Sequence, residues 1–167
     1  MKLRKAVPND FNQIVEIFAQ AKLSMANIKL NQWQDGSPTQ SDFLNDINLG
    51  ISYVVEISNI VVGHASFFIG EDPTYKEIDG RWASDENYGV IHKLMTHSKL
   101  KKSGVASYII EQLSKICIAQ NIDWLRIDTH QDNAPMLRLL EKQSFHKRGI
   151  IIIANGSKRI AFDKKLS

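Results

Sequence analysis

Apolar residues Phe11, Ile14, Val15, Phe18, Ala21 and Met25 recur at the three- and four-residue spacing of one helix face, and Asn9 stands where an N-cap belongs. Ahead of them, residues 2–7 read as a first strand ending before Pro8. Residues 27–40 are polar and irregular, punctuated by Trp33, Gly36 and Pro38. Ser41 is then placed to cap a shorter helix through Phe43, Leu44 and Ile47, stopped by Gly50. Two β-rich runs follow at residues 51–57 and 60–69. Ser58-Asn59 between them has the length and chemistry of a tight hairpin.

Residues 70–87 predict a long loop. Its acids, Glu71, Asp72, Glu77, Asp79, Asp85 and Glu86, against Lys76 and Arg81 leave it a net charge of −4. Loops of this length are often functional, and a solvated, mobile loop is the alternative. Residues 88–96 predict a strand. Residues 103–120 predict a helix with Val105, Ile109, Leu113, Ile116 and Cys117 on one face, and residues 124–129 the next strand. Asn133 and Pro135 open a last helix, whose apolar side is Met136, Leu137, Leu139 and Leu140. Residues 145–153 and 158–164 flank Asn155-Gly156, a strong hairpin signal. The order βααββ, βα, βα, ββ, with no repeat or linker, predicts one α/β (α+β) domain over residues 1–167 with a mixed sheet. The strand-helix-strand unit of residues 88–129 requires a right-handed crossover and a parallel strand pair, where ligands tend to gather.

Composition narrows the class. The 167 residues are 43% hydrophobic and 23% charged, ordinary for a globular chain with a real core. The longest purely aliphatic stretch, residues 150–154, falls far short of the ~20 residues that span a membrane. The basic start Met1-Lys2-Leu3-Arg4-Lys5 leads at once to Pro8, Asn9 and Asp10 with no apolar core, so no signal peptide and a cytoplasmic location are expected. Cys117 is alone, which leaves no internal disulfide and no thiolate zinc cluster, and its helical position suggests ordinary packing. The formal charge of +3 and a pI near 8.9 keep a nucleic-acid reading in view, although no basic motif interleaved with aromatics supports it.

Between the strand at 88–96 and the following helix lies Thr96-His97-Ser98-Lys99-Leu100-Lys101-Lys102-Ser103-Gly104-Val105-Ala106-Ser107. A helix N-terminus offers unpaired amides and a partial positive charge, and Gly104 and Ala106 leave room for close approach. Lys93, Lys99, Lys101 and Lys102 add four cations with no carboxylate between Lys93 and Ser103, which suits a ligand with several phosphates. A solvated lysine-rich turn is the alternative. Neither G-x-x-x-x-G-K-[ST] nor G-x-G-x-x-G occurs.

Lys101-Lys102-Ser103-Gly104-Val105-Ala106 resembles the [Arg/Gln]-x-x-Gly-x-[Gly/Ala] loop of GNAT-superfamily N-acetyltransferases. About thirty residues on, the run from Asn133 to Phe145, with Leu139-Leu140-Glu141-Lys142-Gln143-Ser144-Phe145, is similar to that family's Asn-x-x-x-x-x-Leu-Tyr-Glu-Lys-x-Gly-Phe. The order of strands and helices matches over nearly the whole chain. Residues 129–133 and 158–164 also resemble a bacterial branch of the superfamily. The resemblance implies a mostly antiparallel sheet with a splayed parallel pair, flanked by helices, and acetyl-CoA or another acyl-CoA as donor, with no metal. Lys101, Lys102, Ser103, Gly104, Val105, Ala106 and Ser107 would hold the pyrophosphate. Leu94, Met95 and Thr96 would pair with the pantetheine arm, Asn133 would hydrogen-bond it and Met136 would line it. An amide near Leu94 or Met95 would stabilise the oxyanion. The chain departs from the family pattern at Lys101, at Ser144 in place of glycine, and at Leu140, where the family often carries a tyrosine acid.

Candidate bases come from strand parity. Arg126, Asp128 and His130 alternate with Leu125, Ile127 and Thr129, which reads either as a catalytic relay or as an Arg126–Asp128 ion pair with His130 at its exposed end. His92, with the parity of Leu94 and Thr96, is a second candidate and also a plausible structural histidine. His97 reads as a loop residue. For the acceptor, Trp33, Gln34 and Asp35 fall where the family's substrate wall would be, with Trp33 as a core plug the alternative. The acidic loop with Tyr75 and Trp82, together with Tyr88, suits a cationic amine. The expected activity is transfer of an acetyl group to a primary amine of a small molecule or peptide, by direct attack in a ternary complex. An acyl-CoA-binding regulatory module is the alternative, and an RNA- or ribosome-associated protein a third reading. Neither a membrane nor a nucleic-acid partner is expected, and the final hairpin offers an edge for a homodimer.

Overall fold

Eight strands and four α-helices account for most of residues 1–167, all of which are described by the computed structural model. The strands are β1 (Lys2–Lys5), β2 (Ser52–Ile57), β3 (Ile60–Ile69), β4 (Asp79–Gly80), β5 (Tyr88–Thr96), β6 (Trp124–Thr129), β7 (His146–Ile152) and β8 (Lys158–Lys165). The helices are α1 (Phe11–Asn27), α2 (Gln40–Asn48), α3 (Val105–Ala119) and α4 (Ala134–Lys142). The sheet order is β1-β2-β3-β5-β6-β8-β7-β4. It is mostly antiparallel, with β5 and β6 as the parallel pair. No helix is long and apolar enough to cross a membrane. Contacts gather the chain into two units, one of Met1–Phe67 with Lys93–Ile109 and one of Phe68–His92 with Ile110–Ser167.

In the first unit α1 buries Ile14, Ile17 and Phe18, one i, i+3, i+4 stripe, among Ala6, Phe43, Ile47, Val54, Val61 and Met95. Its entry differs from the expected Asn9 cap. A 3-10 turn over Pro8–Asp10 precedes the helix, and the Asp10 carboxylate accepts the Val7 amide at 2.8 Å and a fork of Arg4 bonds at 2.7 and 2.9 Å. The α2 cap is Thr39 rather than Ser41: Thr39 Oγ1 accepts from the Asp42 amide and Asp42 accepts from the Thr39 amide, a reciprocal box that ties two end donors. Ser58 and Asn59 both have positive φ, 50° and 65°, as a tight hairpin between twisted strands demands.

In the second unit the expected loop over residues 70–87 is an ordered segment. A 3-10 turn at Pro73–Tyr75 buries the Tyr75 ring with Tyr88, Val90, Ile151 and Ala161, and β4 pairs with β7 through Asp79↔Ile150 and Gly80↔Gly149. An Arg126 guanidinium lies 4.1 Å from the Trp82 ring centre and 3.6 Å from that of Tyr88, and donates to the Ser84 carbonyl at 2.7 Å. Buried Asp163 accepts the Ala83 amide and the Arg148 guanidinium. The segment is therefore clamped at 82–84 and at β4, and residues 72–75 are carried on a fixed arm.

Candidate active site

The parallel ladder covers Tyr88↔Trp124 to Ile91↔Ile127, and the next residue on each strand is one of the candidate bases, His92 on β5 and Asp128 on β6. His92 Nδ1 lies 3.7 Å from Asp128 Oδ2, beyond a direct hydrogen bond and within reach of a bridging water. His92 Nε2 lies 2.5 Å from Asp72 Oδ2. Thr74 fixes the other Asp72 oxygen with its amide at 2.9 Å and its hydroxyl at 2.7 Å, and the Asp72 amide donates to the Tyr88 hydroxyl. Tyr75 Oη donates to Asp128 Oδ2 at 2.7 Å. The His92 side chain keeps 30% of its exposure, against 9% for Asp72 and 11% for Asp128. The imidazole is the member of the cluster that meets solvent.

Burial separates the two carboxyls. At Asp72 burial favours the neutral acid, but bonds from His92 and Thr74 outweigh it and the pKa falls below the usual carboxylate range. At Asp128 burial prevails over His92 and the Tyr75 hydroxyl, and the pKa rises. Burial and the Asp128 charge push the Tyr75 phenol well up, so it remains a donor. An ionised Asp72 accepts only, which assigns the Nε2 proton to His92 and turns Nδ1 toward Asp128. The arrangement is an imidazole oriented by one carboxylate and facing a second, less acidic one.

The sequence does not single out Asp72, and it marks Tyr75 only as an aromatic of the acceptor-facing loop, not as a partner of Asp128. The acidic, aromatic composition of their segment was its only signal. The Arg126–Asp128 ion pair is corrected: Arg126 is held between aromatic rings, and Asp128 is engaged by Tyr75 and His92. His130 accepts the Asp132 amide through Nδ1 at 3.1 Å, a turn contact at the strand end. Tyr88 is 8% exposed and braces Asp72 and Arg126. Trp33 packs in the first unit on Phe18, 5.6 Å between ring centres, as a core plug does. Lys93, the residue after His92, takes a φ of 51°, which departs from extended strand geometry.

The lysine-rich loop belongs to the first unit. A 3-10 turn spans Ser98–Leu100, Lys102 and Gly104 take φ of 64° and 88°, and α3 begins at Val105. Its first closed intrahelical bond is Tyr108 amide to Gly104 carbonyl at 2.9 Å, so the amides of Gly104, Val105, Ala106 and Ser107 precede the ladder. A Cβ at Gly104 would meet nothing within 4 Å, so the backbone here is open to approach. Lys99 and Lys102 are exposed, and Lys101 reaches the Ser24 hydroxyl. Lys93 leaves the basic set, since its ammonium pairs with Asp46 at 2.6 Å. Leu94 and Met95 are buried and Thr96 is half-buried. In the second unit Asn133 caps α4, accepting the Met136 amide at 3.2 Å, and Leu140 is wholly buried in the core. No group of three or more His, Cys, Asp and Glu side chains is placed to hold a metal ion.

Four helices and a mostly antiparallel sheet with one parallel strand pair define an α/β fold. A model of the acetyltransferase (GNAT) family matches residues 12–145, and the chain belongs to that family. It is similar to a GNAT-family acetyltransferase from Streptococcus agalactiae, at 26% identity and a TM-score of 0.88 over 98% of this chain and 94% of the other. The fold is shared with a GNAT-family acetyltransferase from Listeria monocytogenes, at 16% identity and a TM-score of 0.75 over 98% and 94% of the two chains. It is shared too with the PaiA N-acetyltransferase of Thermoplasma acidophilum, solved in complex with coenzyme A, at 13% identity and a TM-score of 0.72 over 98% of each chain. Among curated proteins none matches the sequence.

Proposed function

We propose that this acetyltransferase moves the acetyl group of acetyl-CoA to a primary amine by direct attack, with His92 as general base and Asp72 as the group that orients it. The observation that carries this reading is the 2.5 Å contact of His92 Nε2 with Asp72, one residue past the end of the parallel ladder. The pyrophosphate is assigned to the amides of residues 104–107 with Lys99, Lys101 and Lys102, because that segment joins open helix-start donors to exposed positive charge. Asn133 and Met136 keep the pantetheine role that the family resemblance gives them.

An acceptor resembling lysine is an ammonium near pKa ~10 and must lose a proton before it can attack. Imidazole changes charge near neutrality, and His92 Nδ1 would take that proton through a water. Carbon–nitrogen bond formation then puts negative charge on the carbonyl oxygen, where the Leu94 or Met95 amide would meet it. Collapse breaks the carbon–sulfur bond, its electron pair leaves on the CoA thiolate, and the nitrogen's second proton passes through water to solvent or to that thiolate. A thiol of ordinary acidity, pKa ~8.5, leaves as thiolate without a strong acid, so the buried Leu140 in the place of a tyrosine is compatible with turnover. Asp72 and Asp128, beside Tyr75 and Phe68, favour an acceptor that arrives as a cation, whether a small molecule or a peptide.

Free thiol released from acetyl-CoA across an amine panel is the test. His92→Gln and Asp72→Asn should each lower kcat by about 10²-fold or more, the usual scale for a positioned base, and leave CoA binding in calorimetry unchanged. Wild-type CoA binding without thiol release on any amine would leave the chain an acyl-CoA-binding module and overturn the enzymatic reading.

A further inference from the structure

In the first unit, β5 contains a residue whose backbone needs a cause. Lys93 lies in the left-handed region, φ 51°, within a strand, a conformation that side-chain-bearing residues avoid unless their surroundings impose it. It is gripped at both ends. Its carbonyl lies 3.1 Å from His64 Nδ1, and its ammonium lies 2.6 Å from Asp46 Oδ2 and 5.6 Å from the Phe43 ring centre. Asp46 also accepts the Ser66 hydroxyl at 2.5 Å.

His64, on β3, is 0% exposed. A carbonyl can only accept, so the proton of the neutral ring sits on Nδ1, and Nε2 accepts from Ser52 Oγ at 3.0 Å. Phe43 stands edge-on to the ring at 5.4 Å between centres. Burial keeps the imidazole neutral, lowering its pKa to about 4, and so preserves this tautomer.

The Lys93 carbonyl and the Leu94 N–H belong to one planar trans peptide and point in opposite directions. Fixing the carbonyl on His64 therefore aims the Leu94 N–H away from His64. We propose that His64 is a positioning residue for acetyl transfer, holding the Lys93–Leu94 peptide so that the Leu94 N–H is aimed as the oxyanion donor. The inference rests on the acetyl-transfer reading above and adds to it which amide is used and what orients it.

The test compares three variants. His64→Asn places an amide nitrogen where Nδ1 stands and keeps the donor to Lys93. His64→Leu removes it at similar volume. His64→Gln reaches instead toward Ser52, and takes the place of His64→Leu should that variant fail to fold. In folded protein, His64→Leu or His64→Gln should lower kcat by about 10²-fold, the scale of a lost oxyanion donor, with the KM for acetyl-CoA and the calorimetric CoA affinity unchanged. His64→Asn should restore most of the turnover. The Leu94 amide resonance, followed in the same proteins, should move in the leucine and glutamine variants and stay in the asparagine variant. Equal kcat losses in all three, or a folded leucine variant with wild-type kcat, would overturn the inference. So would an unmoved Leu94 resonance in that variant, whether or not the chain turns over. Absence of thiol release by the wild type would instead sink the acetyl-transfer reading, and the resonance would still decide whether His64 sets the peptide plane.

Discussion

Burial makes His64 a base that stays neutral well into the acid range. Desolvation lowers its pKa from 6.5 to about 4, against the opposing pull of the Lys93 carbonyl and the Asp46 charge. Between those two values the unfolded chain holds a proton that the folded chain lacks. The contribution is therefore intact above pH 6.5 and drains away as pH falls toward about 4, by about 1.4 kcal/mol per pH unit. Urea unfolding from pH 7 to 4 should show this loss in the wild type, and His64→Asn should flatten it. Equal slopes in the two proteins would mean that His64 charges in the fold as readily as in the unfolded chain. At this scale the sequence marks His92 and Asp128 one by one, through their places on two strands. It carries no sign that Asp72 and Tyr75 reach them, because those contacts join positions 20 and 53 residues apart and exist only once the segment 70–87 is folded onto its own unit. Arg126 illustrates the same limit. Parity suggests a carboxylate partner two residues away, and Trp82 and Tyr88 supply an aromatic one instead.

Elements with long periodic patterns are the legible ones. The expected strands at 88–96 and 124–129 coincide with β5 and β6, and α1 and α3 agree with expectation to within two residues. Element ends were less legible, since Thr39 and Ser41 offer the same hydroxyl and only the reciprocal bond with Asp42 selects between them. β4 is two residues long and owes its existence to β7 rather than to its own propensity. That pairing depends on glycine. A Cβ at Gly149 would lie 2.2 Å from the Asp79 carbonyl oxygen and 2.9 Å from Gly80 Cα, so the strands would have to part. Gly149→Ala should destabilise the protein by about 2 kcal/mol, the scale of a steric insertion into packed structure. Hydrogen exchange should speed at the Arg81 amide, which is bonded to the Arg148 carbonyl at 3.2 Å. Since this segment carries Asp72 and Tyr75, kcat should fall with CoA affinity kept. Unchanged exchange at Arg81 would show that β4 does not hold the segment.

For the whole molecule, the order of elements and the two spaced motifs were enough to indicate the family, because both depend on local pattern. The division of labour was less visible. The small net charge of +3 hides a lysine-rich helix start in one unit and a histidine with two carboxylates in the other. On the proposed reading, donor binding and proton transfer are then separable by mutation. Gly104 has φ +88° with open space at its Cβ, so alanine there costs about 1 kcal/mol of backbone strain and leaves the amides accessible. Glutamate costs the same strain and sets a carboxylate where phosphate should sit. Gly104→Glu should therefore abolish CoA binding in calorimetry while melting close to Gly104→Ala, which should still bind. His92→Gln should show the reverse, with normal CoA affinity and little turnover. Wild-type affinity should also weaken as salt is raised, because exposed Lys99 and Lys102 would act on the phosphates through solvent. If Gly104→Glu binds CoA as Gly104→Ala does, the coenzyme does not use the start of α3, and the assignment of residues 101–107 falls while the His92–Asp72 pair remains to be explained by another donor path.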